Sequence, residues 1–202
     1  MLAGQTYEPF RFDASFQVRE DRFAAEKGRI ASAAAAMIDE GETIGITAGT
    51  TTTQVARALR LRSGLHIVTN AVNIALEMSA MDGLQTTLTG GCMRWPGAFS
   101  LVGPAALETL NLVMLDKLFL SVCGIDPEHG ATTIQADEAA LFRAMCRRAR
   151  QVIVVADSSK LQMTSPAVIC PAADIDVLVT DDGILDTAMS AFKKAQIEVR
   201  IA

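Results

Sequence analysis

Six short runs of β-branched and apolar residues recur along this chain, at residues 43–47 (TIGIT), 66–69 (HIVT), 85–89 (QTTLT), 117–122 (KLFLSV), 151–156 (QVIVVA) and 176–180 (DVLVT). Helical stretches separate them. Ile30, Ala34, Met37 and Ile38 fall on one helical face ahead of Gly41, which reads as the stop. Further helices are expected over 55–59, 72–81, 105–110, 137–149 (with Leu141, Met145 and Ala149 on one stripe) and 184–195, and residues 198–201 close the chain as a last strand. Strands that alternate with helices and are apolar on both faces predict an α/β domain, its mainly parallel sheet covered by helices. Residues 92–104, with Trp95, Pro96, Gly97 and Gly103, read as a loop.

At 202 residues, half of them apolar and a fifth charged, the chain is long enough for one sizeable domain. Residues 1–19 are irregular and read as a tether or a packed arm; residues 20–202 form the domain. The net charge of −5 speaks against a surface that grips nucleic acid by itself. The densest basic cluster (Arg143, Arg147, Arg148, Arg150) suits a solvated helix face. Cys92, Cys123, Cys146 and Cys170 show no CxxC spacing and read as reduced, mostly buried thiols of a cytoplasmic protein, with no metal site. No signal peptide or membrane-spanning run is present in the sequence.

In open α/β sheets ligands sit beyond the carboxyl ends of the strands. The first strand runs into Ala48-Gly49-Thr50-Thr51-Thr52-Thr53 and then a helix. Gly49 suggests a tight turn, and the helix start supplies unpaired N–H groups and the positive end of the dipole, an anion site suited to phosphate. The alternative is a set of capping threonines, though one would serve and four are poor helix formers. Neither a Walker loop nor a dinucleotide fingerprint is present, which disfavours ATP and NAD and leaves no cofactor indicated. Other strand ends carry Thr69-Asn70, Gly90-Gly91 with Arg94, Gly124-Ile125-Asp126 and Asp157-Ser158-Ser159-Lys160. Glycines would admit a ligand, carboxylates accept sugar hydroxyls, and Lys or Arg neutralise phosphate; each alone is also ordinary turn chemistry.

In this order the motifs resemble the C-terminal sensor domain of DeoR-type transcription regulators. Glu26-Lys27 with Ile30-Ala31, Gly49-Thr50-Thr51-Thr52, Val68-Thr69-Asn70, Leu88-Thr89-Gly90-Gly91 with Arg94, Gly124-Ile125-Asp126 with Gly130, Glu138-Ala139, Arg143-Ala144-Met145, Asp157-Ser158-Ser159-Lys160 and Val179-Thr180-Asp181 carry the likeness over nearly the whole chain. The resemblance implies a fold like that of ribose-5-phosphate isomerase and CoA transferases. It implies a phosphorylated sugar effector held by the Gly-Thr loop, Asp157 and Lys160, with Glu138 and Arg143 in the same set. It implies a repressor of a carbohydrate-utilisation operon that works as a homo-oligomer, dimer or tetramer, and reaches operator DNA only through a helix-turn-helix preceding the sequence given. Thr47 stands where the family has Asp, which should alter the choice of sugar; Gly28 stands where it has a basic residue. The alternative is a phosphosugar isomerase of the same fold, with Asp126, Asp157 or Glu138 as base. Neither His66 nor His129 has a partner motif, so the non-enzymatic reading is preferred.

Overall fold

The computed structural model describes residues 16–94 and 99–202. The elements, in chain order, are α1 (Phe16–Asp21), α2 (Ala24–Ala35), β1 (Thr43–Ile46), α3 (Thr50–Ala58), β2 (Leu65–Thr69), α4 (Val72–Ser79), β3 (Leu84–Leu88), β4 (Cys92–Met93), β5 (Leu101–Val102), α5 (Pro104–Leu110), β6 (Leu115–Leu120), β7 (Gly124–Asp126), β8 (Gly130–Thr133), α6 (Ala136–Arg148), β9 (Ala149–Val155), β10 (Ala167–Cys170), β11 (Val177–Thr180), α7 (Asp186–Lys194) and β12 (Glu198–Ile201). Seven strands make one sheet in the order β12-β11-β9-β6-β1-β2-β3, and every pairing in it is parallel.

Alternation along the strands builds two cores. Val152 and Val154 of β9 face one, Ile153 and Val155 the other. The helices divide the same way: α2, α3 and α4 cover the face of Ile44, Ile46 and Ile67, while α5, α6 and α7 cover the face of Leu118, Leu120 and Val152. Gly45 lies between Ile44 and Ile46. A Cβ there would stand 2.6 Å from Leu115 Cδ1 and 2.9 Å from Leu118 Cδ1, so β6 fills the space the glycine leaves.

Several expectations need correction. The stretch 92–104 is not a plain loop: β4 and β5 pair antiparallel across it, while Trp95, Pro96 and Gly97 lie outside the described residues. A small antiparallel sheet, β10-β8-β7, also escaped the pattern, because strands of three or four residues rich in Gly and Thr carry no periodicity. Gly41 does not stop α2, which ends at Ala35; its positive φ of 83° serves the turn into β1. Helix α3 begins at Thr50, five residues earlier than the apolar pattern: the Thr53 N–H already bonds the Gly49 carbonyl at 3.0 Å, which the Thr52 and Thr53 hydroxyls share at 3.0 and 2.7 Å. Ala149 opens β9 rather than closing α6. Of the cysteines, only Cys146 and Cys170 are buried, and Cys92 is exposed.

Candidate functional site

The strand order reverses between β1 and β6, the position at which an open α/β sheet forms its crevice. Gly49 lies at that point with φ 165° and ψ 161°, an extended conformation and not the tight turn anticipated. Glycine is required there for another reason. A Cβ would overlap Ser121 Oγ and come within 2.5 Å of Ser121 Cβ and 2.9 Å of Thr52 Oγ1. The backbone after β1 therefore lies directly against the residue after β6. The first intrahelical bond of α3 runs from Thr53 N–H to Gly49 C=O at 3.0 Å, which leaves the amides of Thr50, Thr51 and Thr52 in the helix's first turn. All four threonines are buried.

Buried side chains hold this loop. Asn70 Oδ1 accepts the Ala48 N–H at 2.9 Å, and Asn70 Nδ2 donates to Ser100 Oγ at 2.9 Å and the Leu101 carbonyl at 3.2 Å. Thr69 Oγ1 donates to the Ile46 carbonyl at 2.6 Å and accepts the Ala71 N–H at 3.1 Å. Thr47, the position at variance with the family pattern, is fully buried. Its hydroxyl accepts the Ser121 N–H at 2.8 Å and donates to the Phe119 carbonyl at 3.4 Å, so it ties β1 to β6.

On the β9 side, buried Asp157 accepts a hydrogen bond from Ser159. Asp181 accepts the Ser158 N–H and hydroxyl and the Gly183 N–H, which fixes the turn leading to Lys160; burial pushes the Asp181 carboxyl up, and these bonds together outweigh it and hold the group below its ordinary range. Lys27 of α2 reaches the same place. It is 3% exposed, and its Nζ donates to the carbonyls of Arg19 and Arg22, the latter at 2.5 Å. Burial first, then the neighbouring Lys160, lowers the Lys27 ammonium to about 8; Asp157 and Glu20 oppose the shift, and Arg19 adds to it. On the other side, Glu138 accepts the Thr133 hydroxyl at 3.0 Å and lies 3.7 Å from Arg94 Nε. Among the described residues, Arg94 Nε and the Thr51, Thr86, Thr89 and Thr180 hydroxyls are buried without a hydrogen-bond partner; Thr89 follows β3 and Thr180 ends β11 at this edge, whereas Thr86 lies within β3.

The structure thus brings Gly49, Thr50, Thr51, Thr52, Thr69, Asn70, Arg94, Glu138, Asp157 and Lys160 to one edge of the sheet. Others serve elsewhere. Arg143 donates to the Ile169 and Val168 carbonyls and fastens α6 to β10. Asp126 accepts the N–H groups of Glu128 and His129 and the His129 ring, closing the β7–β8 turn. Gly124 makes room for the Met163 backbone and Gly91 for the Val102 carbonyl, and Gly90 packs against Ala105. Sequence reasoning missed Ser121 and Lys27. For Lys27 the signal existed: carried back one turn, the buried stripe Ile30, Ala31, Ala34 lands on it.

Comparison with known proteins shows the family and the fold. Residues 22–182 match the DeoR C terminal sensor domain. The chain is 35% identical over 174 residues to the transcriptional repressor AccR of Agrobacterium fabrum, covering 84% of this chain and 67% of that protein. It is 37% identical over 160 residues to the HTH-type transcriptional regulator GlpR of Haloferax volcanii (79% and 62%) and 33% identical over 167 residues to the HTH-type transcriptional repressor GlcR of Bacillus subtilis (83% and 64%). The chain therefore spans about two thirds of these relatives' lengths. The fold is shared with ribose 5-phosphate isomerase from Plasmodium falciparum (TM-score 0.50, 14% identity, 68% of this chain and 52% of that one) and with eIF2B beta from Chaetomium thermophilum (TM-score 0.51, 12% identity, 78% and 49%). The match over residues 22–182, carried by a parallel sheet with the Gly-Thr loop at its switch point, places this protein in the family of DeoR C-terminal sensor domains.

Proposed function

We propose that the crevice between β1 and β6 binds a phosphorylated sugar, and that its occupancy governs repression of a carbohydrate-utilisation operon by the whole protein, a cytoplasmic homo-oligomer. One observation carries the reading: the first-turn amides of α3 share one sheet edge with Lys27 and Lys160, a helix N-terminus and two ammonium groups suited to a phosphate dianion. The names of AccR and GlcR as repressors support the regulatory half. An isomerase is disfavoured because the carboxylates that could act as base are engaged, Asp126 in a turn, Glu138 by Thr133 and Asp157 by Ser159.

Lys160→Ala should weaken inorganic phosphate and sugar phosphates by about 10- to 100-fold in titration calorimetry, the loss of one charge-assisted bond. A coupled isomerase assay should stay silent in both proteins. An unchanged dissociation constant would remove Lys160 from the site.

The lowered Lys27 ammonium gives a pH signature. Lys27 faces Lys160, Asp157, Arg19 and Glu20, and in the free protein it loses its proton near pH 8. A bound dianion favours the protonated form, so binding takes up a proton above that pH. Affinity should fall by up to about tenfold per pH unit between pH 8 and 9.5, where phosphate is already dianionic. In Lys27→Gln the affinity should be lower and its pH slope flat. An equal slope in both proteins would assign the titration to another group.

A further inference from the structure

The large sheet ends on two strands of different character. At one end, β12 alternates Glu198 and Arg200 with Val199 and Ile201, and the two charged side chains are exposed and paired at 2.7 Å. Charges of this kind blunt a sheet edge against pairing with another chain. At the other end, β3 (Leu84-Gln85-Thr86-Thr87-Leu88) carries no charge and no proline, and its register with β2 runs unbroken along its length. It has no charge, proline or bulge of the sort that protects an edge.

The amides that β3 leaves open follow from its bonds to β2. The Gly83 carbonyl accepts the Gly64 N–H at 2.8 Å, and the Thr89 N–H donates to the Thr69 carbonyl at 2.9 Å. Odd-numbered residues therefore direct their backbone groups at β2, and Leu84, Thr86 and Leu88 direct theirs outward. Among the described residues no strand pairs with that outer side. The same three residues share the sheet face that α4 covers. Leu84 packs on the core there, Leu88 is 39% exposed, and Leu76 of α4 is 68% exposed. The Thr86 hydroxyl is buried without a hydrogen-bond partner.

The order of these residues suits a second copy of the same strand. An antiparallel copy centred on Thr86 sets Leu84 opposite Leu88, Thr86 opposite Thr86 and Leu88 opposite Leu84. All three are hydrogen-bonded pairs of the ladder, in which the two residues exchange both N–H···O=C bonds, because all three present outward groups. Each leucine meets a leucine beside α4. The dyad also sets a second Thr86 hydroxyl next to the unpartnered one, with Cβ atoms about 4.5–5.5 Å apart, a spacing at which threonines hydrogen-bond across strands. A shift of one residue would oppose outward groups to inward ones, and a shift of two would set leucine against threonine.

We propose that the outer edge of β3 is an interface between two copies of this chain, which pair antiparallel about Thr86 and join their sheets into one. The proposal is independent of the phosphate site and assigns a surface to the homo-oligomer named with it.

Sedimentation velocity on the full chain tests this in wild type, Thr86→Pro, Leu88→Lys and Ile201→Lys. Proline at 86 removes an N–H that its own sheet does not use. Lysine at 88 places a charge on the bare edge, and lysine at 201 places one on the opposite edge as a control. Wild type should sediment as a dimer or a dimer of dimers. Thr86→Pro and Leu88→Lys should halve its mass and raise the dissociation constant at least about a hundredfold; Ile201→Lys should match wild type. Amide exchange on wild type gives a readout that needs no variant. Leu84, Thr86 and Leu88 should exchange at least about tenfold more slowly at protein concentrations far above the dissociation constant than below it, while Gln85 and Thr87 stay slow at both. A wild type that is monomeric at every concentration overturns the interface and the homo-oligomer together. Assembly that survives both β3 variants, or open amides whose exchange does not depend on concentration, overturns the β3 interface and leaves the homo-oligomer standing on another surface.

Discussion

Gly49→Ala is expected to lower phosphate affinity at least about a hundredfold and to destabilise the fold by about 1–3 kcal/mol. The new Cβ would overlap Ser121 Oγ, and neither partner can yield cheaply: Ser121, just after β6, is held by its N–H bond to Thr47, and Thr52 is already bonded to the Gly49 carbonyl. The loop must move, and the first-turn amides of α3 move with it. Combining Gly49→Ala with Ser121→Gly removes both Ser121 atoms from the clash. The pair should be non-additive in denaturant melts by more than about 1 kcal/mol. If the two changes simply add, the close approach of the β1 and β6 ends is not what demands glycine at position 49.

Asn70→Ala should cost about 2–4 kcal/mol. The residue is fully buried and makes three bonds, so its removal strands the Ala48 N–H, the Ser100 hydroxyl and the Leu101 carbonyl together. For a chain of this size each kcal/mol moves Tm by about 2–4 °C, so the drop should be on the order of 10 °C. Phosphate affinity should fall as well, because Asn70 ties the Gly-Thr loop to Ser100 and Leu101. A shift below about 2 °C would mean the loop is held by its own helix and not by Asn70.

The parallel sheet was legible because both faces of its strands are apolar, as in 151–156, and such a pattern needs helices on both sides. The gathering of the candidate residues was legible for a related reason: with strands parallel, polar strand ends lie on one edge whatever their order. Individual roles were less legible. Asp126 and Arg143 look like ligand residues in sequence, yet a carboxylate two residues before a free N–H makes a turn, and a guanidinium on a helix can reach the carbonyls of a neighbouring strand. Both partnerships depend on the small β10-β8-β7 sheet, which has no periodic signature. Thr47 shows the same limit: its position suggested a choice of sugar, but its hydroxyl is occupied by the backbone of β6. Lys27 reads as an interruption of an apolar stripe until α1 is seen lying over it.

The strand order also has a consequence for biosynthesis. Strands β1, β2 and β3 are consecutive and neighbours, so they can pair as soon as they leave the ribosome. The other side of β1 pairs with β6, which starts only at Leu115. At typical elongation rates of about 5–20 residues per second, that flank stays open for several seconds. An open β-branched strand flanked by half a core is a template for pairing with another nascent chain. Translation speed between residues 47 and 115 therefore sets how long that flank is exposed, independently of how stable the finished domain is.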